Sequence, residues 1–456
     1  MNRRTSRRQF LKNGTFAGIG CWIVARGAPA QSRSPNEKLN IGIVGAGGRG
    51  ASNTGGVQSE NIVALCDVNL RNLDQAAARF PKATKYRDWR KLVEQKDIDA
   101  VVVSTTDHTH APATVAAMKR GKHVYCEKPV AHSVYGARVV RETRNKMKVA
   151  TQMGTQIHAE DNYRRVVELV QSGAIGPVRE AHVWCDRVGP APGTTRPKDT
   201  PPVPDYLDWD LWLGPSPERP YHPKYHVGGC MVWEQWWDFG NGCLGDMGSH
   251  LIDLPFWALK LRQPLTAEAQ GANRSEELYP QWLEATWEHP ATSERPGLKL
   301  TWHDGPRKPP SPEEPARDLG EAPRRNAQSK KDEPVRLDLT NWGIGVMFVG
   351  DEGKIVADYG KRYILPFNKF KDFKPPEQTI PKSRGHYAEW IHGCKTGEPT
   401  LCNFDYSGMM VEHNLLGSVA WRVGKKLTWN PEAMKAEGCP EADKYIRPPC
   451  RPGWEV

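Results

Sequence analysis

The sequence predicts an α/β protein: a doubly wound parallel sheet, followed by an α+β domain with a large, mostly antiparallel open sheet. Three observations carry this. Short apolar runs alternate with helix-like segments as far as residue 156. The first of those runs ends in a cluster of glycines. Beyond residue 156, strand-like runs follow one another without that alternation. Alternation implies parallel strands joined by crossover helices, and succession implies antiparallel pairing. A chain of 456 residues has room for two or three domains.

The parallel unit is expected over residues 38–156. Its strands are "LNIGIV" at 39–44, "NIVALC" at 61–66, "DAVVV" at 99–103, "HVYC" at 123–126 and "KVATQM" at 148–153. "LRNLDQAAARF" and "HAPATVAAMKRG" have helical character between them. The second domain is expected over 157–430, with a tail at 431–456. It opens with a helix over 161–172 that ends in "SGAIGPV". Strand-like runs follow: "REAHVWCDRV", "TAEAQGAN", "QWLEATWEH", "GLKLTWHDG" and "GVMFVGDEGKIVAD". Late helices are expected over 385–396 and 405–424. Residues 304–338 are dense in proline and charge and read as a mobile surface insertion.

Composition is that of a globular protein, with 38% apolar and 25% charged residues. The formal charge of +10 is concentrated at the start: residues 1–30 hold six basic residues and no acid. The rest carries 57 basic against 53 acidic residues, too mild a balance to point to nucleic acid. "SRRQFLK" at 6–12, a weakly apolar stretch at 14–25 and "APA" at 28–30 resemble a twin-arginine export signal. That resemblance implies an exported, periplasmic protein handled by the twin-arginine machinery. The alternatives are a disordered basic tail, or a lipoprotein signal with Cys21 in the poor lipobox "AGIGC". Nine cysteines remain beyond residue 30, scattered and without a C-x-x-C pair. This argues against a metal cluster and a disulfide framework, and leaves a Cys439–Cys450 pair open.

Gly45-Ala46-Gly47-Gly48-Arg49-Gly50 is G-x-G-x-x-G after a strand. Gly45 permits a tight turn, Gly47 a close backbone approach to a pyrophosphate, and Gly50 close packing of helix on strand. Asp67 ends the second strand about 20 residues on. A carboxylate there bonds the adenosine ribose and repels a 2′-phosphate. The pattern predicts a Rossmann domain for NAD, with Arg49 keeping NADP open; the alternative is a glycine turn without a ligand. "STTDHTH" at 104–110 closes another strand, where ligands bind in such sheets. Thr105, His108 and His110 are candidates to line the cofactor. The competing reading is loop polarity and helix capping.

"HVYCEKPVA" at 123–131 places Glu127, Lys128 and Pro129 directly after an apolar run. In "NGCLGDMGSHLIDL" at 241–254, Asp246, His250 and Asp253 fall at i, i+4 and i+7, one face of a helix. The glycine turn, "DHTH" and "EKP" together resemble the Gfo/Idh/MocA oxidoreductases, as do "SGAIGPV" and "LLGSVAWRVGKKLTW". The resemblance covers residues 38–430. It implies that Lys128 bonds both the nicotinamide ribose and the substrate hydroxyl, with Glu127 beside it. It also implies that His250 is the general base or acid and Asp246 a substrate or proton-relay partner, on the pattern Asp-x-Gly-x-His-x-x-Asp. The alternatives are a strand-end salt bridge for Lys128, a cap for Asp246, and a metal site, which the absence of a further His or Cys disfavours.

Five tryptophans, including Trp236 and Trp237, lie in "DYLDWDLWLGP" and "MVWEQWWDFGNG". Aromatic faces suit sugar rings, so Trp236, Trp237 and Asp253 are candidates for substrate binding; core packing is the alternative. The resulting expectation is an NAD-dependent oxidoreductase for a sugar or polyol, with no metal, forming a homo-oligomer. Export makes a tightly held cofactor plausible, and with it an NAD-dependent glycoside hydrolase that shows no net redox change. A third class is a non-catalytic sugar-binding protein on the same fold. The intact set Lys128, Asp246 and His250 argues against it.

Overall fold

The computed structural model describes residues 37–272, 274–320 and 333–456. The export-signal reading and the centre of the proline-rich segment lie outside the described residues. No helix among the described residues is long and apolar enough to cross a membrane.

Six parallel strands form the first sheet: β1 (Asn40–Val44), β2 (Asn61–Cys66), β3 (Thr84–Tyr86), β4 (Ala100–Val103), β5 (His123–Cys126) and β6 (Thr151–Met153). Their order is β3-β2-β1-β4-β5-β6. Helices cover both faces, so β1, β4 and β6 are almost wholly buried and read as continuous apolar runs. Strand order reverses between β1 and β4, and there a crevice opens beyond the carboxyl ends of the strands. β3 is too short and too exposed to have shown in the sequence.

The second sheet has ten strands. These are β7 (Val178–Cys185), β8 (Thr266–Gly271), β9 (Leu283–His289), β10 (Leu298–Asp304), β11 (Arg317–Asp318), β12 (Ile344–Gly350), β13 (Lys354–Ala357), β14 (Arg362–Leu365), β15 (Leu427–Asn430) and β16 (Lys435–Glu437). Their order is β11-β14-β13-β12-β7-β10-β9-β8-β15-β16, antiparallel except for β7 beside β10. The run "GVMFVGDEGKIVAD" is two strands, because Asp351-Glu352-Gly353 turns the chain and Gly350 N–H donates to the Gly353 carbonyl at 2.9 Å. The described flanks of the proline-rich segment are not a loose insertion. β11 pairs with β14, Ala316 and Val335 exchange backbone hydrogen bonds of 2.7 and 2.8 Å, and Ala316, Leu337 and Leu339 pack against Trp184.

The core lies between this sheet and the helix Phe404–Val423, which also packs on the helix Val134–Met147 of the first sheet. Trp184, Trp287 and Trp302 are wholly buried, and at ~25 cal/mol per Å2 each contributes roughly 4–6 kcal/mol of transfer free energy. The helix Phe404–Val423 is buried on nearly every side. Asn403 caps its start by accepting from the Asp405 N–H at 3.0 Å, and Gly424, with φ of 76°, ends it. Glu412 in its middle is fully buried and meets the Arg138 guanidinium through two bonds of 2.9 and 2.5 Å. This pair joins the two sheets' helices. Arg138→Met leaves the buried Glu412 carboxylate with only the more distant Arg141, at 3.9 Å, and is expected to lower stability by about 2–4 kcal/mol, read by denaturant unfolding.

Candidate active site

The crevice at the reversal of the first sheet is walled by Gly45, Gly47, Gly48, Arg49, Asp67 and Thr105. Gly45 has φ of 84°, and a Cβ there would strike the Ser104 carbonyl. A Cβ on Gly50 would strike the carbonyl of Gly45, so the helix Arg49–Val57 sits directly on the turn. Asp67 accepts from the backbone N–H groups of Ala46 at 2.8 Å, Gly47 at 3.2 Å and Asn69 at 2.8 Å. Burial raises its pKa, and these donors oppose the rise. A glycine-lined turn at a helix start with a carboxylate at the next strand's end fits the pyrophosphate and adenosine ribose of a dinucleotide.

A segment of the second domain crosses this crevice. The Leu70 N–H donates to the Tyr206 carbonyl at 2.8 Å, and the Asp208 N–H to the Val68 carbonyl at 3.0 Å. The Arg71 guanidinium lies 3.7 Å over the Tyr206 ring. Leu207, Trp212 and Trp233 then face the glycine turn across the crevice. The cover is stiff because its aromatic rings pack on one another: Trp209 and Trp212 stack at 4.7 Å, and Tyr225 meets Trp236 at 4.9 Å. Trp236 is thus core. So is Trp237, 3% exposed, whose indole N–H donates to the Ser275 carbonyl at 3.1 Å. Neither presents a face for a sugar, which corrects the substrate-binding expectation for both.

Lys128 follows β5, at the carboxyl end of the first sheet. The Lys128–Pro129 peptide is cis. Its ammonium forms an ion pair with Oδ1 of Asp246, and Arg187, just past β7, grips Oδ2 of the same carboxylate. The Arg187 guanidinium also bonds Glu234 Oε1 at 3.1 Å. Asp246 is 4% exposed and Glu234 3%, so both carboxylates are dehydrated and stay beside these cations. Burial raises the pKa of Glu234, with Arg187 and Lys128 pulling it down. Burial likewise raises that of Asp107 at the start of the helix after β4, against the pull of Lys128. Arg187 and Glu234 belong to no motif and were missed, whereas Asp107 lies in "DHTH", where only helix capping was expected of it.

Backbone carbonyls and two histidines, His110 and His132, hold the Lys128 loop, with His108 close by. His110 has its Nδ1 at 2.7 Å from the Pro129 carbonyl and its Nε2 at 3.1 Å from that of Thr105. His132 Nε2 lies 2.7 Å from the Trp237 carbonyl, and the Asn241 side chain donates to the His132 carbonyl at 2.9 Å. His108 lies between the Trp212 and Phe239 carbonyls, at 3.0 and 3.3 Å. Burial pushes His108 and His110 down to about 4, and His132 down to about 3, so all three rings are neutral. His108 and His110 are therefore buried ties, which corrects their expected place lining the cofactor. Glu127 Oε2 accepts from the Lys128 backbone N–H at 3.3 Å. Glu127 also accepts from Asn53 and Gln156, both at 3.0 Å, and braces the glycine-turn helix from beneath rather than lining the crevice.

Asp246, His250 and Asp253 sit on three consecutive helical turns, Gly242–Asp246, Gly248–Leu251 and Asp253–Ala258. No described residue hydrogen-bonds the partly buried His250 ring. Burial, then the charges of Lys128, Arg49 and Arg187, hold its pKa well below the ordinary histidine value. Asp253 shares the stripe but lies ~10 Å farther along it, at 1.5 Å per residue. There it is fully buried, paired with His158 Nδ1 at 2.9 Å and with the Tyr406 hydroxyl at 2.8 Å. It does not reach the site, which corrects its expected contact with substrate.

Comparison with known proteins fits this geometry. Residues 39–155 match the Gfo/Idh/MocA description "Oxidoreductase family, NAD-binding Rossmann fold", and residues 192–289 match "Oxidoreductase family, C-terminal alpha/beta domain". A glycosyl hydrolase family 109 protein of Solibacter usitatus is 39% identical over 150 residues, 29% of this chain and 34% of that protein. An inositol 2-dehydrogenase of Klebsiella pneumoniae is 32% identical over 145 residues, 30% of this chain and 43% of that protein. The chain thus spans about a third to a half of the length of the curated relatives it matches. The WlbA dehydrogenase of Bordetella pertussis, solved with NADH and UDP-GlcNAcA, superposes over 86% of this chain and 99% of its own. Its TM-score is 0.58 and its identity 14%, a likeness of fold. Two successive parts of the chain, residues 39–155 and 192–289, thus match the two domain descriptions of the Gfo/Idh/MocA oxidoreductases, and the crevice forms within the first.

Proposed function

We propose that the protein is an NAD-dependent oxidoreductase acting on a CH–OH group of a sugar, polyol or sugar derivative. The observation that carries this is the Lys128 ammonium, fixed on Asp246 just past the carboxyl end of β5 in the sheet that carries the glycine turn, with the His250 ring, engaged by no described residue, on the next helical turn. NAD would be held by the glycine turn, Asp67 and Thr105, and would supply a hydride acceptor. Lys128 donates to the substrate oxygen as charge develops there, where dehydration strengthens the interaction. His250 accepts the hydroxyl proton, and is available to do so because its surroundings keep it neutral. Asp246 and Arg187 aim Lys128 rather than take protons, since both carboxylate oxygens of Asp246 are already engaged.

The cover over the crevice supports a second part of the proposal: the dinucleotide is retained through turnover. This suits a protein exported through the twin-arginine route, as the first 30 residues lead us to propose. Exhaustive dialysis is expected to leave dinucleotide bound; a fully stripped, intact protein contradicts retention. The family 109 relative favours a second reading, a glycoside hydrolase with no net redox change. A panel of sugars and glycosides, followed for reduced dinucleotide and for released aglycone together, separates the two.

Lys128→Ala is expected to lower kcat on any accepted substrate by about 10²–10³, the usual cost of one such donor; unchanged turnover removes Lys128 from the reaction. The His250 ring is competent when neutral, so activity is lost only as pH falls through its lowered pKa. The acid limb of kcat/KM is therefore expected below the ordinary value of about 6.5. Lys128 is one of the charges that lowers it, so in Lys128→Ala the His250 NMR titration is expected to move upward.

A further inference from the structure

A second cavity, of about 440 Å3, lies behind the Trp237–Asn241 loop, closed on one side by the C-terminal residues 444–456. Its volume is ordinary for a small-molecule site. Arg422 and Ser418, one turn apart on the helix Phe404–Val423, form part of its wall. The Arg422 guanidinium lies between two rings, 4.9 Å from that of Trp237 and 4.1 Å from that of Tyr445. No described carboxylate lies within 4.0 Å of it, and its Nε is buried with no hydrogen-bond partner. The Ser418 hydroxyl is 3% exposed and equally unpartnered. Nearer the mouth, Lys444 and Arg447 also lack a described carboxylate within that reach, and Arg447 lies 4.1 Å over Tyr135.

The cavity's acids are differently placed. Asp238 is paired with Arg219, Glu276 accepts from the Tyr445 hydroxyl at 3.2 Å, and Glu455 accepts from the Gly453 N–H at 2.9 Å. The acids thus have donors, while Arg422, Lys444 and Arg447 have no described carboxylate within 4.0 Å. A guanidinium packed against aromatic rings keeps its N–H donors, which suit a carboxylate or phosphate. Buried donors without acceptors are costly, and a bound oxyanion relieves that cost.

We infer that this cavity binds a small organic oxyanion with a ring or apolar body, its head on Arg422 and Ser418 and its body against Tyr445. Lys444 and Arg447 draw the anion to the mouth. The site is separate from the Lys128–Asp246 centre and does not depend on the reaction proposed there.

Calorimetric titration of the NAD-saturated protein tests this, with phenyl phosphate, benzoate and inorganic phosphate as anions and benzyl alcohol as the neutral control. At least one organic anion is expected to bind, at least about tenfold tighter than benzyl alcohol, and the two heads tell phosphate from carboxylate. Arg422→Gln is expected to weaken binding by about tenfold or more, the effect of losing a charged hydrogen bond. The exposed double change Lys444→Ala with Arg447→Ala, which spares the core, is expected to weaken it severalfold. Lys128→Ala is expected to leave it unchanged. Binding of none of the anions, equal binding of benzyl alcohol, affinity unmoved by both cavity variants, or loss in Lys128→Ala overturns the proposal.

Discussion

The structure depends on one carboxylate. Asp246 is buried between the ammonium of Lys128 and the guanidinium of Arg187, and these three residues come from the end of β5, the end of β7 and a helix between β7 and β8. A dehydrated carboxylate is tolerable only with such partners, and each cation is in turn held in place by it. The two domains are therefore joined at the point where chemistry is proposed. The histidine ties act on the same joint: His110 and His132 fix the loop that carries Lys128, and Asn241 links it to the chain that leads into Asp246.

This arrangement divides the work among the side chains. Lys128 and Arg187 are spoken for by Asp246, and Glu127 by Asn53 and Gln156. His250 alone among the motif residues has a ring that no described group engages, in a positive field that favours its neutral form. The cover over the glycine turn adds enclosure. It is tied to the rim by backbone hydrogen bonds at Val68 and Leu70, and its aromatic rings pack on one another.

Much of this was legible in the sequence because the signals are local. An apolar run ending in spaced glycines, an aspartate at the next strand's end, and E-K-P after a third strand each specify a short backbone arrangement. Arg187 and Glu234 were not legible, because their importance comes from meeting across 47 residues of chain and from sharing partners in no common motif. His108 and His110 stood in the right place at a strand's end, but sequence does not reveal the carbonyls that would bury them. Asp253 kept the helical period of Asp246 and His250. Period fixes direction around a helix and not distance along it, and that distance carried Asp253 to His158. The tryptophans misled for a related reason: composition records aromatic area, and area serves a core as well as a ligand.

The central claim is that Lys128, Asp246 and His250 surround a carbinol carbon whose hydrogen leaves for the bound dinucleotide. The most direct test is a single turnover of the purified holoprotein with an accepted substrate, deuterated or not at that carbon, following the absorbance of reduced nicotinamide. The account predicts transient or net reduction that slows on deuteration, whether the net reaction is oxidation or glycoside hydrolysis. Turnover with no reduced dinucleotide and no isotope effect contradicts it.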